Sequence, residues 1–160
     1  MKEYRTRLHV VLEIATWVML LLTVLLAVYG IRTLPETIAT HYNAAGEADG
    51  YGSPASLLVT PLLMVIPLGI ISLVVHFVRP EFWNTPFAVK PENAAAVYRD
   101  MTTMMLAVQA EISAYTLYLQ ITWLLQIGLG IASTIVFVLI LFATIIVLSL
   151  RAWRHNKEGE

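Results

Sequence analysis

Residues 131–150 read IASTIVFVLILFATIIVLSL, twenty positions with no charge and no polar face. A helix that is hydrophobic all round has no side for water, so it sits deep in a large core or in lipid. Its length matches the roughly 20 residues that cross a hydrocarbon layer of about 30 Å. Three further segments have comparable reach, giving helices over about 8–31, 57–78, 91–126 and 131–150. They leave a polar loop at 32–56 and a second loop at 79–90, all within a single membrane domain spanning 1–160. Of the 160 residues, 58% are hydrophobic and 13% charged, against the quarter or so that is charged in soluble domains. The fold expected is all-α, a polytopic membrane protein of four transmembrane helices with the lipid bilayer as its solvent.

Cysteine is absent, which excludes a disulfide framework, a thiolate nucleophile and thiolate metal ligands. The net charge of −1 supplies no broad basic surface, so nucleic acid is not an expected partner. Lys2, Arg5 and Arg7 ahead of an apolar run resemble the start of a signal peptide. The run is too long, contains Glu13 and lacks a small-x-small cleavage site, so it reads as a retained helix.

The basic residues divide unevenly. Lys2, Arg5, Arg7, Arg79, Lys90, Arg99, Arg151, Arg154 and Lys157 fall at the termini and around the second loop, and Arg32 alone falls in the first. The excess of Lys and Arg on cytoplasmic loops predicts both termini inside, at the cell membrane, with loop 32–56 and the turn near Gly128–Gly130 outside.

Polar residues within the apolar segments predict which faces meet protein. Glu13, Thr16, Thr23 and Gly30 share one side of the first helix. Pro61 suits the first turn of the second helix and Pro67 predicts a bend. The third helix, opened by Pro91, has two polar rows on nearly opposite sides. One is Thr102, Gln109, Ser113, Thr116 and Gln120; the other is Glu111, Tyr115, Tyr118 and Thr122. A helix polar on two sides is either central in its bundle or shared with a second subunit, as in a homodimer. Glu111 falls near mid-membrane with no Lys or Arg at its depth. Its two readings are a proton or cation site and a neutral carboxyl hydrogen-bonded to a neighbouring helix. Glu13 and His76 share a depth near the inner boundary, where they pair or snorkel.

Loop 32–56 is the elaborate polar segment. Ile38–Asn43 alternates like a short strand, and Ala44-Ala45-Gly46 suits the turn of a hairpin. His41, Asn43, Glu47 and Asp49 concentrate donor atoms suited to a ligand or a divalent metal. The same residue types also hold turns by bonding their own backbone, and the spacing matches neither an EF-hand nor a zincin helix.

Leu34-Pro35, Ile38 and then His41-x-Asn43-x-x-Gly46-x-x-Asp49-Gly50-x-Gly52-Ser53 together form a pattern. It resembles the N-terminal domain of the SdpI-like bacterial membrane proteins, a domain of unknown function. Pro86, Pro91-Glu92-Asn93-Ala94-Ala95, Tyr98 and Arg99 resemble a second stretch of that family. Pro54 stands where the family commonly has Lys shortly after Gly-Ser, and four helices stand where fuller members carry more. The resemblance implies an immunity or sensing protein. Its outer loop would recognise an extracellular peptide toxin or ion, and a cytoplasmic regulator would meet Asn93, Tyr98 and Arg99. Two alternatives come from the residues themselves. One is a metal-dependent membrane hydrolase using His41, Glu47 or Asp49; the other is a small proton-coupled transporter or channel subunit built on Glu111.

Overall fold

The structure, a computed structural model, describes residues 4–158. Lys2, one of the basic residues counted above, lies outside them. Four long helices dominate: α1 (Arg7–Thr33), α2 (Val59–Phe77), α3 (Ala94–Leu124) and α4 (Ala132–Lys157). Two short strands, β1 (Ile38–Tyr42) and β2 (Ala48–Gly52), form an antiparallel hairpin between α1 and α2. The hairpin reading of loop 32–56 therefore holds. Short 3-10 turns at Pro54–Leu58 and Pro91–Asn93 lead into α2 and α3, each opened by proline, whose missing N–H costs nothing in a first turn. Pro67 lies inside α2, which continues through it. α4 extends beyond the expected residue 150 to Lys157, so its polar end is helical.

Three helical segments, Arg7–Thr33, Pro54–Phe77 and Ala132–Lys157, are long and apolar enough to cross a membrane. Most of their large apolar side chains point outward. Leu21 and Leu25 of α1, Leu62 and Ile66 of α2, and Leu139, Phe142 and Val147 of α4 are all exposed. The polar residues turn inward. Thr16, Thr23 and Gly30 are buried in α1, and Thr102, Gln109, Ser113, Thr116 and Gln120 are buried in α3. This polarity is the reverse of a water-soluble bundle and matches a bundle whose solvent is hydrocarbon. The apolar stretch of α4 buries none of its residues; only Ala152 and Asn156, in its polar end, are buried.

α3 is the hub of the bundle, packed against α1, α2 and α4. Its buried positions 102, 106, 109, 113, 116 and 120 recur at alternating spacings of four and three, as do 16, 20, 23, 27 and 30 on α1. That 3.5-residue period is the seam of a left-handed helix pair. Small residues on α1 let the backbones approach, and hydrogen bonds lock the pairing. Ser113 Oγ donates to the Thr16 carbonyl at 2.8 Å. Gln109 Nε2 donates to the Leu68 carbonyl and to Ser72 Oγ, both at 2.8 Å, tying α3 to α2. Gln109 and Ser113 thus find partners within the chain, whereas both side-chain polar atoms of buried Gln120 have none among the described residues.

His9 shows how strictly the α1 start is fixed. Its Nδ1 accepts from the Thr6 N–H at 3.2 Å, and its Nε2 lies 2.8 Å from Thr103 Oγ1. The Thr103 hydroxyl is already donating to the Arg99 carbonyl. His9 must therefore donate from Nε2, which leaves one neutral tautomer for a fully buried ring.

Candidate functional site

The bundle has two ends. One gathers the start of α1, the end of α4 and the loop 79–93; the other carries the hairpin and the 125–131 turn. At the hairpin end, Asn43 organises the turn. Its Oδ1 accepts from the N–H groups of Ala45 and Glu47, and its Nδ2 donates to Glu47 Oε2 at 3.0 Å. Gly46 takes φ +87° in that turn, a conformation that a side chain disfavours. The hairpin tip then lies on the turn after α3. The Ile131 N–H donates to the Ala44 carbonyl at 3.1 Å, and a Cβ on Gly128 would fall 1.8 Å from the Gly46 carbonyl oxygen. The base of β1 is fastened as well. The Ala39 N–H donates at 2.8 Å to Gln126 Oε1, and Ile38 packs with Ala27 and Leu57 beside Trp123. The Tyr42 phenol has its hydroxyl buried with no hydrogen-bond partner among the described residues. Burial, and then the neighbouring Tyr51, push its pKa above the ordinary tyrosine range, so it stays neutral.

On this fixed hairpin His41 and Asp49 meet. His41 Nδ1 donates to Asp49 Oδ1 at 2.5 Å, with the two side chains 71% and 46% exposed. A carboxylate on Nδ1 sets the ring orientation and leaves Nε2 for an incoming group. The four loop residues therefore come together as two pairs, His41 with Asp49 and Asn43 with Glu47. Among the described residues no three of His, Cys, Asp or Glu form a metal-ligand group. The His41–Asp49 pair alone is one donor short of the three protein ligands of a catalytic zinc.

At the terminal end Glu13 and His76 come together, and Arg5 joins them. Arg5 Nη2 donates to Glu13 Oε2 at 2.6 Å, and Nη1 donates to His76 Nε2 at 2.8 Å. His76 Nδ1 donates to the Ser72 carbonyl at 2.8 Å, while its Nε2 lies 3.3 Å from Glu13 Oε1. Asn93 and Tyr98 turn into the protein. Asn93 Nδ2 donates to the carbonyls of Asn156 and Glu158, and Tyr98 is buried edge-to-face between Tyr4 and Trp83. Arg99 is exposed. The sequence did not single out Asp100 or Asn156, which close this end. Asp100 is buried, 2.5 Å from His155 Nδ1 and 3.3 Å from Arg151 Nε. Asn156 accepts from the Lys90 N–H and donates to the Ala88 carbonyl, both at 2.9 Å.

Glu111 faces α4. Its Oε1 accepts from Thr144 Oγ1 at 2.5 Å, and its buried Oε2 has no hydrogen-bond partner among the described residues. Tyr115 bonds Thr134 at 2.9 Å and stacks on Phe137, whereas Tyr118 is exposed.

The fold and these sites define a helical protein of membrane type that presents a docked β-hairpin. A family model described as "Domain of unknown function (DUF1648)" matches residues 18–65, from the middle of α1 through the hairpin into α2. An uncharacterized protein of Archaeoglobus fulgidus is similar, 40% identical over 60 residues, which is 33% of this chain and 32% of that protein. The chain thus spans about a third of the length of that curated relative. No solved structure matches.

Proposed function

We propose that this is an SdpI-like integral membrane protein that recognises an extracellular peptide toxin through its hairpin and protects the cell carrying it. All four helices cross the bilayer, α3 included, with both termini in the cytoplasm and the hairpin outside. The nine-to-one division of basic residues supports that orientation. The observation that carries the recognition reading is the His41–Asp49 pair, exposed on a hairpin whose tip and base are both fastened to the bundle. A rigid mount for two polar groups lowers the ordering cost of binding. A cytoplasmic regulator would meet the terminal end at Arg99 and along the loop 79–93. Asn93 and Tyr98 would act there by shaping the surface, since both are engaged within the chain.

The test is survival of cells challenged with the secreted peptide toxin against which SdpI-type proteins act. Wild-type protein is expected to protect. His41→Ala and Asp49→Ala are expected to weaken protection by about tenfold to a hundredfold, the range for losing a charged hydrogen bond. Equal protection by both variants at equal expression would remove the hairpin from the reading. The cysteine-free chain allows topology to be read in the same cells. A membrane-impermeant maleimide is expected to label Ala45→Cys and to leave Glu92→Cys unlabelled. The opposite pattern would invert the orientation.

A further inference from the structure

Between α3 and α4, on the hairpin side of Glu111, lies an open crevice of about 490 Å³. Neither His41 nor Asp49 lines it, and it takes no part in the recognition reading above. Ala114 and Ser133 are small and leave the gap; Tyr115, Tyr118 and Phe137 line it with aromatic surface; Glu111 closes its inner end. Tyr115 and Phe137 are stacked, with ring centroids 4.2 Å apart and planes within 3°. Tyr118 lies 6.0 Å from Tyr115.

Its electrostatics are one-sided. Glu111 is the one carboxyl among the lining residues, and no Lys, Arg or His lines the crevice. Thr144 satisfies Oε1, whereas Oε2 lacks a partner among the described residues. A carboxyl held at mid-depth without a cation is costly unless protonated or matched by a ligand. Aromatic faces add attraction for an organic cation, and their flat surfaces suit an apolar body. The volume falls in the range of small-molecule sites.

We infer that the α3–α4 crevice is a binding site for a lipophilic organic cation, an aromatic body held by Tyr115, Tyr118 and Phe137 with its positive charge at Glu111. Such a ligand would enter from the hydrocarbon side, because α4 is exposed along this stretch.

Tetraphenylphosphonium is a suitable probe, a permanent cation with aromatic walls. Full-length protein in lipid nanodiscs is expected to bind it saturably, at one site per chain, and neutral triphenylmethane is expected not to displace it. Glu111→Gln retains an acceptor for Thr144 and is expected to weaken binding by more than about tenfold, the scale for losing one partner of a buried charge pair. Ala114→Leu keeps the carboxyl, fills the crevice and is expected to abolish binding. Wild-type affinity in either folded variant, or equal displacement by triphenylmethane, would overturn the assignment. Wild-type protein gives an independent reading through dicyclohexylcarbodiimide, which modifies carboxyls in hydrocarbon. Saturating probe is expected to slow modification of Glu111, and an unchanged rate would also overturn the assignment.

Discussion

Gly128→Ala is expected to detach the hairpin from the bundle. The added Cβ would fall 1.8 Å from the Gly46 carbonyl oxygen and 2.8 Å from its carbon, and both are backbone atoms without a rotamer through which to yield. One of the two turns must move. The Ile131-to-Ala44 hydrogen bond is then lost, along with the register that places Gln126 on Ala39. The cost is about 3 kcal/mol or more, beyond ordinary overpacking because the clash is with main chain. Proteolysis within 43–47 should accelerate, and the thermal midpoint in detergent should fall. Gly46→Ala meets the Gly128–Gly130 backbone from the other side at 3.1–3.3 Å and also suffers its positive φ. The double variant should therefore be far less than additive, since the contact can be broken only once. A Gly128→Ala protein that melts and resists protease like the wild type would refute the docking.

His155→Ala is expected to be more damaging than removal of its partner. Asp100 is buried, and His155 Nδ1 at 2.5 Å is its nearer partner; Arg151 is more than half exposed and stands at 3.3 Å. Without the imidazole, a buried carboxylate keeps one distant, solvated cation. Losing one member of such a pair costs about 3–5 kcal/mol, whereas replacing the whole pair by apolar groups is often neutral. The joint Asp100→Leu, His155→Leu variant should recover most of the stability lost by His155→Ala, and Arg151→Ala should cost little. Thermal melts of the wild type, His155→Ala, Asp100→Leu, Arg151→Ala and the joint variant would decide it, and additive losses in the joint variant would contradict the pairing. The effect reaches the loop 79–93, because Asn156 next to His155 holds the Lys90 N–H and the Ala88 carbonyl.

Features that repeat along one helix were legible in the sequence. The α1 face at 16, 23 and 30 and the α3 row at 102, 109, 113, 116 and 120 carry their own period, and both rows are buried. Asn43, Gly46 and their neighbours announce a turn through local chemistry alone. Matching depth left Glu13 and His76 either to pair or to snorkel; the structure brings them within 3.3 Å and adds Arg5, which the sequence did not indicate. What the sequence concealed depends on distant partners. The hairpin tip rests on Gly128, and glycine facing glycine leaves no side-chain signal. Thr144, partner to Glu111, sits in a helix read as apolar throughout. The polar end of α4 looked like a tail after Leu150. It stays helical because His155 and Asn156 bond to Asp100 and to the backbone of Ala88 and Lys90, contacts that no local pattern predicts.

The position of α3 also bears on how the chain is made. Arg7–Thr33 and Pro54–Phe77 are apolar enough to enter lipid as they emerge, but α3 is not among the segments that qualify on length and hydropathy. Gln109 and Ser113 find their acceptors on α2 and α1, helices synthesised earlier. Glu111 and Tyr115 need Thr144 and Thr134, which leave the ribosome later. In the proposed four-span topology, partitioning of α3 is coupled to its neighbours, with the first pair acting as a template and α4 as the seal. In that topology a nascent chain arrested before Thr134 would hold α3 with Gln109 and Ser113 paired and the Glu111 row still waiting.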